Sequence, residues 1–243
     1  MSELWLAGVD GCRAGWVAAF VRPAGEEARV RIVPRFADVL TAAEAPARVA
    51  VDIPIGLPDR IGPDGRGPEQ AIRPLLGARQ SSVFSVPPRA AIHAADFAAA
   101  CAAALAASEP PRKVSKQLFM IAPKIREVDA LLRADAACAG RVYEVHPELA
   151  FWRLNGERAL DEPKKVKGVC YEPGLALRRG LLVAAGLPAS VVMSTAPKGA
   201  GADDLLDALA CAAIARRLHA GTAWPFPDPP GRDSCGLMVA IWA

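Results

Sequence analysis

Leu4-Trp5-Leu6-Ala7-Gly8-Val9-Asp10-Gly11-Cys12-Arg13-Ala14-Gly15-Trp16-Val17-Ala18-Ala19-Phe20 is two apolar runs joined by a glycine-rich turn. Runs of this kind, broken by a turn signal, predict a hairpin over residues 4–10 and 16–22. Asp10 closes the first strand. A carboxylate at the end of a core strand is costly without a partner, and a divalent cation is a common one.

The same arrangement recurs downstream. Val49-Ala50-Val51-Asp52-Ile53-Pro54-Ile55-Gly56-Leu57-Pro58 is an apolar strand that reaches Asp52. Pro54 and Pro58 cannot donate to a sheet ladder, so the strand ends near Asp52 and the chain turns away. Residues 203–219 read as a helix whose first turn Asp203 or a neighbour caps. Asp204 and Asp207 are three apart and share one face. Acids brought from separate elements to one point are what a two-cation phosphodiesterase site requires.

Composition narrows the class. At 243 residues and 52% hydrophobic, the chain suits a single α/β domain, 1–243, with insertions. No uninterrupted apolar stretch reaches eighteen residues, so no transmembrane helix is expected. No basic segment precedes an apolar one at the start, which argues against a signal peptide. Cys12, Cys101, Cys138, Cys170, Cys211 and Cys235 are scattered and form no Cys-x-x-Cys pair, which argues against a zinc ribbon and for a reduced, cytoplasmic protein. A net charge of +3 is too mild to establish a polyanion partner.

The order of elements carries further. Ala28–Val33 alternates as a third strand, Phe36 to Glu44 has helical spacing, and residues 48–53 form the fourth strand. Residues 58–90, rich in Gly, Pro and Arg, read as a long functional or mobile loop. Helices are expected over Ala90–Ala107 and Ser115–Ala137, the latter kinked or interrupted at Pro123. A fifth strand runs from Arg141 to Val145, a Lys-rich insertion occupies the region near 153–175, and Gly174–Ala185 is helical. The Pro-rich segment Trp224–Pro230 reads as a crossing that returns as a strand over Leu237–Trp242.

Three strands, a helix, a fourth strand, helical material, a fifth strand and an acidic last helix is the RNase H-like order. Five ordered motifs add to it: Gly8-Val9-Asp10-Gly11-Cys12-Arg13-Ala14-Gly15-Trp16, Asp52-Ile53-Pro54-Ile55-Gly56-Leu57, Gly77-Ala78-Arg79-Gln80-Ser81-Ser82-Val83-Phe84, Tyr143-Glu144-Val145-His146-Pro147-Glu148 and Asp204-Leu205-Leu206-Asp207-Ala208. Together they resemble the bacterial and archaeal family catalogued as domain of unknown function 429, described as predicted nucleases of RNase H fold. The resemblance runs from about residue 4 to the C-terminus. It implies a mixed central sheet flanked by helices, with insertions after the fourth and fifth strands, and a metal-dependent site in which Asp10 bridges two ions.

Each site residue also has a purely structural reading. Asp10 can accept hydrogen bonds from the Gly11–Gly15 turn, and Asp52 can brace the Pro54 turn. Asp204 is explained by the helix dipole alone; Asp207, among Leu205, Leu206, Ala208 and Leu209, is not. Metal ligands are therefore expected among Asp10, Asp52, Asp204 and Asp207. Glu144 and His146 share one face of the fifth strand, as structural hydrogen-bonding groups or as catalytic ones, with His146 relaying a proton. Arg79, beside Ser81 and Ser82, suits phosphate contact, and Arg13 joins it as a substrate-binding candidate. The lysines at 113, 116, 124, 164, 165 and 167 read by default as a solvated face.

The expectation is a Mg²⁺- or Mn²⁺-dependent nuclease acting on nucleic acid, with Asp10, Asp52, Asp207, Glu144 and His146 as catalytic residues. Two other classes compete: a non-catalytic nucleic-acid- or protein-binding module that keeps an acidic pocket, and a nucleotide-binding phosphotransferase. No membrane partner is expected. The final strand can cover a neighbour's edge as readily as its own, which is compatible with a homodimer.

Overall fold

Seven strands build one mixed sheet in the computed structural model, which describes residues 4–243. The expectation about a leader peptide falls partly on residues 1–3, outside that range. The strands are β1 (Leu6–Cys12), β2 (Gly15–Val21), β3 (Ala28–Val33), β4 (Val49–Val51), β5 (Val142–Glu144), a separate hairpin of β6 (Lys165–Val166) and β7 (Val169–Cys170), then β8 (Pro225–Arg232) and β9 (Met238–Trp242). Their order across the main sheet is β3-β2-β1-β4-β5-β9-β8. Within it β1, β4, β5 and β9 are mutually parallel, whereas β2 and β8 run against their neighbours.

The helices are α1 (Phe36–Leu40), α2 (Gly67–Ile72), α3 (Arg89–Ile92), α4 (Phe97–Ala106), α5 (Lys116–Ala134), α6 (Ala136–Ala139), α7 (Pro147–Leu154), α8 (Glu172–Ala184), α9 (Ala189–Val192) and α10 (Ala202–His219). They cover both faces of the sheet. On one side Leu6, Val17, Ala19 and Ala50 pack with Leu149, Leu175 and Leu209 of α7, α8 and α10. On the other, Val9, Trp16, Phe20 and Val51 pack with Phe36, Ala100 and Ile125 of α1, α4 and α5. The period-two alternation of side chains across a strand sorts β1 and β2 between these layers, so both strands are apolar throughout.

Helix α10 lies unusually close to β1. A Cβ on Gly8 would stand 2.0 Å from the Ala212 backbone nitrogen and 2.2 Å from the Ala208 carbonyl oxygen. Only a residue without a side chain fits that crossing. The alanines of α10 provide the matching narrow face. Asp10 is two residues from Gly8 and shares its face, so the crossing sets the last helix against the acid end of β1.

Several expected elements differ in form. The stretch 58–90 is partly ordered, with α2 followed by a 3₁₀ segment over Arg73–Ser82 that bends at Gly77, where φ is +50°. The expected helix Ala90–Ala107 is split, because Asp96 starts a new helix by accepting a 2.8 Å hydrogen bond from the Ala99 amide. Helix α5 continues through Pro123 as one element. The Pro-rich crossing is the edge strand β8, its register with β9 irregular between Phe226 and Gly231. A proline is tolerated there because an edge strand leaves one row of donors unused. Helix α7, directly after β5, was not expected.

Candidate functional site

Three acids from separate segments meet on the α10 side of the sheet. Asp10 ends β1, is 7% exposed, and accepts a 2.7 Å hydrogen bond from the Gly11 amide. Asp52 follows β4 directly, its own amide held 2.9 Å from the Val9 carbonyl oxygen. Asp207 sits one and a half turns into α10 and is 3% exposed. Its Oδ2 accepts from Lys164, while its buried Oδ1 has no partner among the described residues.

The electrostatics of the three are linked. Burial pushes the Asp10 carboxyl well above the usual carboxylate range, and the charges of Asp52 and Asp207 push it further. Burial, then Asp207, pushes Asp52 up to about 8. Asp207 is raised by burial, with Lys164 pulling the other way. Like charges gathered out of water cannot all ionise unless a cation joins them.

One cation already does. Burial alone favours loss of the Lys164 proton, but the charge of Asp207 and the hydrogen bond to it, with Asp10 and Glu148 beyond, hold the ammonium protonated. The expectation of a solvated lysine face fails here. Next to it, Lys165 reaches Asp203 at 2.5 Å. The chain carrying both is pinned from below: a Cβ on Gly174 would stand 1.9 Å from the Pro163 carbonyl oxygen. Arg178, fully buried, donates to the Glu162 carbonyl oxygen at 3.0 Å and to both oxygens of Glu148 at 2.7 and 2.8 Å.

Asp204 is half-buried, and its Oδ2 accepts a 2.8 Å hydrogen bond from the Gly201 amide, so it caps α10. It also lines a cleft of about 390 Å³ with Asp10, Asp52, Arg13, Lys124, Phe84 and Met120. Phe84 is 40% and Met120 76% exposed, giving the acid end of the cleft an apolar rim. Lys124 donates 2.5 Å to the Gly15 carbonyl oxygen and lies over the Trp16 ring.

Other expected residues lie elsewhere. Glu144 pairs with Val51 in register and so faces the layer opposite Asp10. There it receives Arg66 at 2.6 Å and the Ile55 amide at 2.7 Å. His146 immediately precedes α7 without a side-chain hydrogen bond to it, its Nε2 3.4 Å from the Ser82 carbonyl oxygen, and shares a small cavity with Asp52. Burial lowers its pKa to about 4, leaving a neutral imidazole at physiological pH. Ser81 and Ser82 are exposed and, with Arg79, do not line the acid cleft. Arg79 keeps a buried Nε without a partner among the described residues.

The donor set is all carboxylate oxygen, which suits a hard cation such as Mg²⁺ or Mn²⁺. The Oδ1 of Asp207 is a buried carboxylate oxygen left without a hydrogen-bond partner among the described residues. Among the described residues, though, no three His, Cys, Asp or Glu side chains already stand in a ligating cluster. The acids are arranged around an ammonium.

A family model described as Protein of unknown function (DUF429) matches residues 8–232. The chain belongs to the DUF429 family. No curated protein and no solved structure matches it. Within this DUF429 chain, the match spans Asp10, Asp52, Lys164 and Asp207 alike. Among the described residues no helix is long and apolar enough to cross a membrane.

Proposed function

We propose that this protein is a Mg²⁺- or Mn²⁺-dependent phosphodiester hydrolase, a nuclease of RNase H-like fold acting on nucleic acid. The observation that carries the reading is the meeting of Asp10, Asp52 and Asp207 from β1, the end of β4 and α10, each raised in pKa chiefly by burial. The strand order β3-β2-β1-β4-β5, with β2 alone reversed among those five, supports the fold assignment.

Asp10, Asp52 and the free oxygen of Asp207 are the groups that hold the cation. When bound, such an ion activates a water and neutralises charge on the phosphate. Arg13, exposed at the cleft mouth, suits a phosphate oxygen through its planar fork. Phe84 and Met120 offer an apolar wall for a base, and His146 supplies a neutral imidazole beside Asp52.

The test is cleavage of single-stranded, duplex and branched DNA and RNA in Mn²⁺, parent beside Asp10→Asn. Cleavage by the parent that survives in Asp10→Asn would show a contaminant or another site. A second reading, a nucleic-acid-binding module without catalysis, is favoured by one observation: the ammonium of Lys164 already seated on Asp207. Tight binding without cleavage across the whole panel would select it.

A further inference from the structure

We propose that Lys164 is a resident cation of the acid cluster, taking the place of a second divalent ion, so that the site binds one divalent cation per chain. The inference rests on the metal-site reading above and adds a count to it. Its first support is that the position of Lys164 is built. The Glu162-Pro163-Lys164 backbone lies against Gly174 with no room for a side chain, and Arg178 holds the Glu162 carbonyl oxygen while clamping Glu148. On the far side, the Tyr171 amide donates 2.9 Å to the Lys164 carbonyl oxygen. A lysine merely wandering in solvent needs none of these contacts.

The second support is how neighbouring charges are distributed. Glu148 is matched by Arg178 and Asp203 by Lys165, while Glu144, on the opposite layer, shares Arg66 with Glu69. Asp204 caps α10 and, half-buried, keeps a charge that solvent screens. The more deeply buried acids left, Asp10, Asp52 and Asp207, stand against Lys164. Three carboxylates and one ammonium leave the charge that one divalent ion balances. A pair of divalent ions would leave the pocket with excess positive charge beside a lysine whose backbone is held at its edge.

The third support is the division of labour at Asp207. One oxygen is bound to Lys164 and the other, buried, is bound to nothing among the described residues. A single carboxylate that bridges a fixed ammonium and an open position does for Lys164 and one ion what a bridging carboxylate does for two ions.

The experiment is the number of Mn²⁺ ions bound per full-length chain, measured by calorimetry and by electron paramagnetic resonance of the free ion. The parent, Lys164→Met and Lys164→Arg are compared. Expected counts are one for the parent, two for Lys164→Met, whose stem is kept but whose charge is gone, and one for Lys164→Arg. Two ions in the parent overturn the inference, even if the Met variant does not fold. A count of one in a folded Lys164→Met also overturns it. Ions bound by none of the three overturn the metal-site reading itself, a result distinct from a wrong count.

Discussion

Gly8 and Ala212 are in such close approach that one methyl group on Gly8 would lie 2.0 Å from the Ala212 nitrogen. This contact between β1 and α10 brings Asp207 to Asp10, because each acid lies within a turn or two residues of the crossing. Gly8→Ala should cost about 1–3 kcal/mol, the usual penalty of overpacking, or more because backbone atoms must move. Urea denaturation would read it. The same variant should bind Mn²⁺ more weakly although no ligand is altered, since the helix has to move off the strand.

Arg178 of α8 should be the most sensitive position of the support beneath the later insertion. It is fully buried and satisfies both oxygens of Glu148. Arg178→Met leaves that carboxylate buried and unpaired, a loss expected at about 3–5 kcal/mol. Replacing both residues, Glu148→Gln with Arg178→Met, should recover part of it. Full additivity of the two losses in thermal melts would count against their being a pair.

The acids make the metal-free protein sensitive to pH. The Asp52 carboxyl is pushed up to about 8, against about 3.9 in an unfolded chain. Between those values the folded chain keeps a proton that the unfolded chain has lost, so stability falls as pH rises and levels off above pH 8. A loss of even ~2 kcal/mol lowers Tm by about 4–8 °C at this chain length. Asp52→Asn should flatten that dependence and raise the metal-free Tm near pH 8. Mn²⁺ should restore parent stability there, with protons released on binding. A parent Tm that rises with pH across this range, without metal, would contradict the assigned repulsion.

Phe84 stands 40% exposed on the rim of the acid cleft, where a packed core residue has no reason to be. Stacking of a base on an aromatic ring contributes about 1–3 kcal/mol, so Phe84→Ala should raise KM for an unpaired substrate about tenfold with little change in kcat. Arg13→Ala should weaken binding of any sequence and reduce its salt dependence. Equal loss of kcat in Phe84→Ala would place the residue in the chemistry instead.

Much of this was legible because the chain states it locally. The apolar run into Asp10, the strand stopped at Asp52 by Pro54, and Asp207 set among leucines are one-dimensional signals, and the structure places them on one side of the sheet. Glu144 was readable as an acid on a strand but not as facing the opposite layer, because that depends on register with β4. Lys164 was hidden. In sequence it belongs to a polar run with Lys165 and Lys167, and only the packing of Pro163 on Gly174 turns it inward. Asp96 ahead of an alanine-rich run was an available capping signal for the split between α3 and α4. The prolines of β8 masked a strand because their exclusion from sheets is relaxed at an edge.

The most direct test of the central claim is a Mn²⁺ titration by calorimetry of the parent, Asp10→Asn and Asp207→Asn, each checked for folding. Loss of an outer partner of a metal site alone costs about 10–100-fold in affinity, so removing either ligand should weaken binding by at least that much. Parent binding with such a loss in both variants is the predicted result. Parent binding that neither substitution alters would place the ion elsewhere and contradict the account.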